Sequence, residues 1–192
     1  ATYCSIGKMN IRDILARVES GRLSSAQAVR MLGHGHVDLG FAKVDTDRLR
    51  RRGLPEVIYC PSKTVEQIVA IMRELKKAKQ NIFATRVSAE QARAIRKAIP
   101  GAKYHRDARA ITLDVVKPPK PVGLVAVVSA GTSDIPVAEE AALTAERMGS
   151  KVERVYDAGV AGLHRLMPHV ELLRSARAVV VVAGMEGALP PV

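Results

Sequence analysis

Aromatic residues make up only 3% of the 192-residue chain, and tryptophan is absent. Base-stacking platforms of the kind that grip single-stranded nucleic acid therefore have little to be built from. The two cysteines, Cys4 and Cys60, form neither a metal-ligand spacing nor a disulfide framework. No apolar run reaches the roughly 18–20 residues that a membrane span needs. The longest, Ala176–Gly184, is interrupted by Arg177 and reads as a buried strand. The N-terminus lacks the basic, apolar, small-residue order of a signal peptide, so the expectation is a cytoplasmic protein. Neither GxGxxG nor a Gly-Lys-Ser/Thr loop occurs, which excludes the dinucleotide fingerprint and the P-loop.

Positive charge is in excess, 30 basic against 19 acidic residues, and it is unevenly placed. Residues 1–120 hold 24 basic and 11 acidic side chains, a net +13; residues 121–192 hold 6 and 8, a net −2. The first part is built to attract anions and the second is not. The stiff segment Lys117-Pro118-Pro119-Lys120-Pro121 coincides with the change. It predicts a domain of residues 1–116, a linker of 117–121 and a second domain of 122–192.

In the basic part Ile11, Ile14, Leu15 and Val18 recur at helical spacing. Ser24/Gln27, Thr64/Gln67 and Ser88/Gln91 are three capping-box pairs, each followed by a helical pattern. Gly33-His34-Gly35-His36 reads as a loop. Strands are expected over Glu56–Cys60, Ile82–Val87 and Ala110–Val116, which with the helices makes a small α/β unit. Arg48, Arg50, Arg51 and Arg52 crowd one short segment. They fit the last turn of a helix, where the dipole favours cations, and equally a grip on phosphate or carboxylate. Lysines at the end of the 65–75 helix alternate with Glu66 and Glu74 and read as a solvated face.

The second part reads as β-α-β-α-β. Strands are expected over Leu124–Val128, Val152–Tyr156 and Ala178–Ala183. A helix opens at Pro136 and runs to Met148, and a second contains Leu163, Leu166, Val170 and Leu173. The continuous apolar strands are those of a parallel sheet buried on both faces. Its ligands bind in the crevice at the carboxyl ends of the strands. Three loops converge there, each rich in small residues and each carrying a carboxylate: Asp134, Asp157 and Glu186. Ser129, Thr132 and Ser133 add hydroxyls, Gly131 permits close approach, and the first loop feeds a helix N-terminus whose amides favour anions.

These loops carry a family resemblance. Ser129-Ala130-Gly131-Thr132-Ser133-Asp134-Ile135-Pro136 resembles the phosphate loop of phosphoribosylaminoimidazole carboxylase. The chain is more similar to the LarB family, pyridinium-3,5-biscarboxylic acid mononucleotide synthase of nickel-pincer cofactor biosynthesis. The similarity lies in residues 48–58, in Lys63–Ile68, in Ala84-Thr85-Arg86-Val87, in residues 156–165 and in Gly184-Met185-Glu186-Gly187-Ala188-Leu189-Pro190. It covers roughly residues 10–192. The Ser-Ala-His-Arg-Thr-Pro stretch of the purine enzyme is replaced here by Asp157-Ala158-Gly159-Val160-Ala161-Gly162, and Ala188 stands where that enzyme has His, which disfavours classical purine carboxylation.

The resemblance implies a small N-terminal α/β domain followed by a three-layer, flavodoxin-like parallel-sheet domain of the aminoimidazole ribonucleotide carboxylase kind. Three strands and two helices after residue 121 cannot cover both faces of such a sheet. The family's nucleophilic cysteine belongs to a later segment, a role neither Cys4 nor Cys60 inherits. The second domain is therefore expected to be incomplete and the chain inactive by itself. The implied reaction is carboxylation of the pyridinium ring of nicotinic acid adenine dinucleotide, with phosphoanhydride hydrolysis releasing AMP. CO2 or bicarbonate is the co-substrate, no cofactor is tightly bound, Mg2+ is a candidate accessory ion, and a homo-oligomer is expected. Within that reading Ser129, Gly131, Thr132, Ser133, Asp134 and Gly184 hold the nucleotide and Asp157 orients the ribose or ring. Glu186 is the acid/base, and Arg51, Lys63 and Arg86 contribute anion contacts from the basic half. Two other readings stay open: a purine-type carboxylase or mutase, and a non-catalytic anion- or nucleic-acid-binding protein driven by the +13 half.

Overall fold

A computed structural model describes residues 11–32, 35–118 and 120–192 of the chain; Cys4 and His34 lie outside these. All three capping boxes form reciprocally. The Ser24, Thr64 and Ser88 hydroxyls accept from the amides of Gln27, Gln67 and Gln91, whose side chains accept in return from the amides of the capping residues. Each box satisfies two otherwise orphaned N–H groups.

Helices α1 (Ile11–Glu19) and α2 (Ser25–Leu32) pair as a hairpin. Strands β1 (His36–Asp38) and β2 (Lys43–Asp45) follow as an antiparallel ribbon, with His36 opposite Asp45. His36 thus belongs to a strand rather than to the expected loop. After α3 (Arg48–Arg52) come β3 (Val57–Tyr59), α4 (Val65–Lys77), β4 (Ile82–Thr85), α5 (Ala89–Ala98), β5 (Lys103–His105) and β6 (Ala110–Leu113). They form a sheet of order β3-β4-β6-β5, with β3 parallel to β4 and the other pairs antiparallel. Strand β6 is shorter than the sequence suggests. The Val115 and Val116 amides turn away and donate to Asn81 Oδ1 at 2.8 and 2.9 Å.

The second sheet is parallel throughout, order β8-β7-β9, from β7 (Leu124–Ser129), β8 (Lys151–Val155) and β9 (Ala178–Val182). Helix α6 (Ile135–Arg147) connects β7 to β8. The helix expected over residues 163–173 is instead two 3-10 turns, Val160–Arg165 and Met167–His169, followed by α7 (Val170–Ser175). Gly162 leaves helical geometry (φ −142°, ψ 57°), and Pro168 cannot donate into a continuing ladder.

Helix α6 packs in two directions. Ala138 and Ala142 are buried with Val127 against the helix's own sheet. Leu143 is buried with Phe83, Ala108 and Ala110 on the first sheet. The other face of that sheet carries α4 and α5, where Ile82 and Ala84 join Ile68, Met72, Leu75 and Ile95. All four residues of β4 are consequently buried. Two ion pairs frame the contact, Arg86–Glu140 at 2.8 Å and Arg147–Asp114 at 2.6 Å. Both are partly exposed, so each contributes at most about 1 kcal/mol, and apolar burial carries the contact. Leu143→Ala is expected to cost about 2–5 kcal/mol of stability in urea denaturation. A loss below about 0.5 kcal/mol would show that α6 does not seal the first sheet.

Candidate functional site

The carboxyl ends of β7, β8 and β9 lie side by side because the three strands run parallel in register. Their loops are residues 129–134, 156–159 and 183–187. Direct hydrogen bonds join all three. The Asp134 carboxylate accepts from the Gly131 amide within its own loop (2.9 Å) and from the Gly184 amide in the third loop (3.0 Å). The Ala130 amide donates to the Val182 carbonyl at 2.9 Å. Ser129 is fully buried, and its Oγ accepts from the Asp157 amide at 3.1 Å. The Ala158 amide donates to the Ser129 carbonyl at 3.0 Å.

Glycine is required where the first two loops touch. A Cβ on Gly159 would stand 2.8 Å from the Ala130 carbonyl oxygen, a backbone atom that cannot step aside. The third loop is anchored at its far end, where Leu189 is buried among Val128, Val155, Ala158 and Leu166.

This arrangement redistributes the roles that the sequence suggests. The Gly131 and Gly184 amides are already taken by Asp134, and Ser129 Oγ holds the second loop. These four residues tie the loops to one another. The donors left over are those of Thr132 and Ser133. Both residues are exposed, and neither their amides nor their hydroxyls have a partner among the described residues. They sit in the 3-10 turn Thr132–Asp134 that leads into α6.

Asp157 adopts φ +56°, in the left-handed region that a non-glycine residue enters rarely. Its carboxylate is held by Arg165 at 2.7 Å. Arg165 is the residue the sequence reading passed over; the signal was a lone basic residue eight positions beyond Asp157. Glu186 is exposed in the third loop, beside Gly187 at φ +67°, and has no hydrogen-bond or ion-pair partner among the described residues.

Arg51, Lys63 and Arg86 do not enter the set of bonds that joins these loops. Arg51 pairs with Asp45 and, at 3.6 Å, with Asp47, which also takes Arg50 at 2.7 Å. Arg50 and Arg51 are thus neutralised locally; burial raises the pKa of Asp45, but hydrogen bonds from Arg51 and the Asp47 amide outweigh it and leave the value below the ordinary one. Lys63 Nζ donates to the Tyr59 carbonyl at 2.8 Å. Arg86 is engaged with Glu140. Cys60 is fully buried in the first core, its Sγ 3.7 Å from the Ile58 carbonyl. Burial pushes its pKa up to about 11, so it is a neutral thiol rather than a nucleophile.

No helix among the described residues is long and apolar enough to cross a membrane. The model of the LarB/PurE-like N-terminal domain matches residues 36–115, from β1 to just beyond β6. An uncharacterized protein of Methanocaldococcus jannaschii is 32% identical over 193 residues, a likeness that spans 95% of this chain and 75% of that protein. The chain therefore belongs to the LarB family, a carboxylase-type family with a LarB/PurE-like N-terminal domain.

Proposed function

We propose that the crevice binds nicotinic acid adenine dinucleotide and that the protein carboxylates its pyridinium ring, releasing AMP, in nickel-pincer cofactor biosynthesis. The observation that carries this reading is the joining of three loops at the carboxyl ends of parallel strands, the first to the third by Asp134 and the first to the second by Ser129, with two donor residues and one carboxylate at the rim that have no partner among the described residues. Ligands of parallel sheets bind at this end of the strands. Thr132 and Ser133 offer amides and hydroxyls to a phosphate at the start of α6. Their bonds to an ionised oxygen are shorter and stronger than neutral ones.

The chemistry needs one proton acceptor and a way to make a ring carbon nucleophilic. A pyridinium is electrophilic and does not attack CO2 by itself. Addition of a cysteine thiolate to the ring removes the aromaticity and leaves an enamine-like carbon. That carbon forms a bond to CO2. A carboxylate then takes the proton from the same carbon, the C–S bond breaks, and the aromatic ring returns with the thiolate as leaving group. Water cleaves the phosphoanhydride in a separate step. Cys60 does not supply the thiolate, because it is buried and protonated. Glu186 is the proposed proton acceptor: of the three loop carboxylates it alone is not already bonded to a neighbouring loop or side chain. Asp157, held by Arg165 and in a left-handed conformation, is the proposed orienting group for the ribose or ring; backbone outliers of this kind concentrate at functional sites.

Two outcomes test the reading. Calorimetric titration is expected to show tighter binding of the nicotinic acid dinucleotide than of the nicotinamide form, with Asp134→Ala weakening it about tenfold or more through loss of both loop ties. Equal affinity for the two dinucleotides would contradict the assignment. In a chain that turns over, Glu186→Gln is expected to lower kcat by about 10²-fold or more, in line with general acid–base contributions, while leaving KM nearly unchanged. An unchanged kcat would remove Glu186 from the mechanism.

A further inference from the structure

A basic concave surface lies away from the crevice. A hollow of about 620 Å3 opens between the C-terminal half of α5 and strand β5. Arg93, Arg96 and Lys97 line one wall and Lys103 and Tyr104 the other, with Gly101 in the turn between them. Gly101 takes φ +89°, and a Cβ there would come within 3.3 Å of Leu113 Cδ1, so the turn is kept small where the walls meet.

Charge pairing elsewhere sharpens the contrast. Asp45 and Asp47 take Arg50 and Arg51, Glu56 takes Arg48, Glu74 takes Lys77 and Asp114 takes Arg147. Among the described residues Arg93, Arg96, Lys97 and Lys103 have no carboxylate partner, and no carboxylate lines the hollow. Arg93, Arg96 and Lys97 stand at i, i+3 and i+4 on one helix face, a spacing at which like charges repel. The helix dipole offsets this only for the last turn. Two facing basic walls focus a positive potential into the space between them. The volume falls in the range of small-ligand sites.

We infer that this hollow is a binding site for a compact polyphosphate, the chemistry shared by an inorganic polyphosphate and the phosphate chain of a nucleoside triphosphate. The two guanidinium groups offer paired N–H donors to phosphate oxygens, and the two ammonium groups add point charges. Tyr104 is partly buried and donates its hydroxyl to the Val87 carbonyl at 3.4 Å, so its ring is held in the wall rather than swinging free. The inference is independent of the dinucleotide reading, because it uses none of the crevice residues.

Inorganic tripolyphosphate is the probe. Calorimetry at low salt is expected to give saturable binding at one site per chain, weakening steeply as salt rises. The doubly substituted chain Arg96→Glu, Lys103→Glu should bind at least tenfold more weakly. Both residues are exposed, and an unchanged circular dichroism spectrum would exclude misfolding as the cause. Competition by adenosine triphosphate would identify a nucleotide as an accepted source of the phosphate chain; its failure to compete would restrict the site to inorganic polyphosphate. Absence of saturable binding would overturn the proposal. So would unchanged affinity in the double variant, or binding confined to long RNA that tripolyphosphate does not displace.

Discussion

Helix α6 is the constraint on which both parts of the chain depend. A helix that buries one stripe needs a single partner; α6 buries two. Its small face, Ala138 and Ala142, lets it lie close on β7, and Leu143 on another face fills the space against Phe83. Without Leu143 the first sheet would expose the apolar side of β4, because α4 and α5 cover only the opposite side. The same helix begins at Asp134, whose carboxylate ties the first crevice loop to the third. Sealing of the basic unit and shaping of the crevice are therefore set by one short stretch of sequence.

The crevice is built by polar bonds that consume its most obvious donors. The Asp134 carboxylate stands among the loops without a cation to neutralise it among the described residues. It accepts from one glycine amide in its own loop and one in the third loop, and so fixes the turn that carries Thr132 and Ser133. The basic excess serves a different place. In the first part of the chain Arg48, Arg50 and Arg51 of α3 are answered by Glu56, Asp47 and Asp45, whereas Arg52 and the arginines of α5 have no carboxylate partner among the described residues. Net charge is thus a poor guide to a site until local pairing has been resolved.

Local signals were legible in the sequence and long-range ones were not. The three capping boxes involve residues three apart, and each forms as read. The expected α/β organisation and the three parallel strands of the second part also appear, since continuous apolar runs such as Leu124–Val128 have few other solutions. Strand β5 was missed: Lys103-Tyr104-His105 has no strand pattern of its own and exists by pairing with β6. The helix drawn through residues 163–173 overvalued apolar spacing and undervalued Pro168 and Gly162. At the site, the side-by-side placing of the three loops at the strand ends followed from loop order. The bond from Gly184 to Asp134 spans fifty residues, and nothing in either local sequence announces it. For the same reason nothing in the local sequence announces that Ser129 and Gly131 tie the loops or that Asp45 pairs with Arg51.

If the proposed nucleotide site is right, the three loops respond to the ligand together. Amide hydrogen exchange followed by mass spectrometry, with and without saturating nicotinic acid adenine dinucleotide, tests it most directly. Residues 129–134, 156–159 and 183–187 are expected to gain protection together, with α4 and α5 unchanged. Protection confined to the basic unit, or no protection of the loops at saturation, would contradict it.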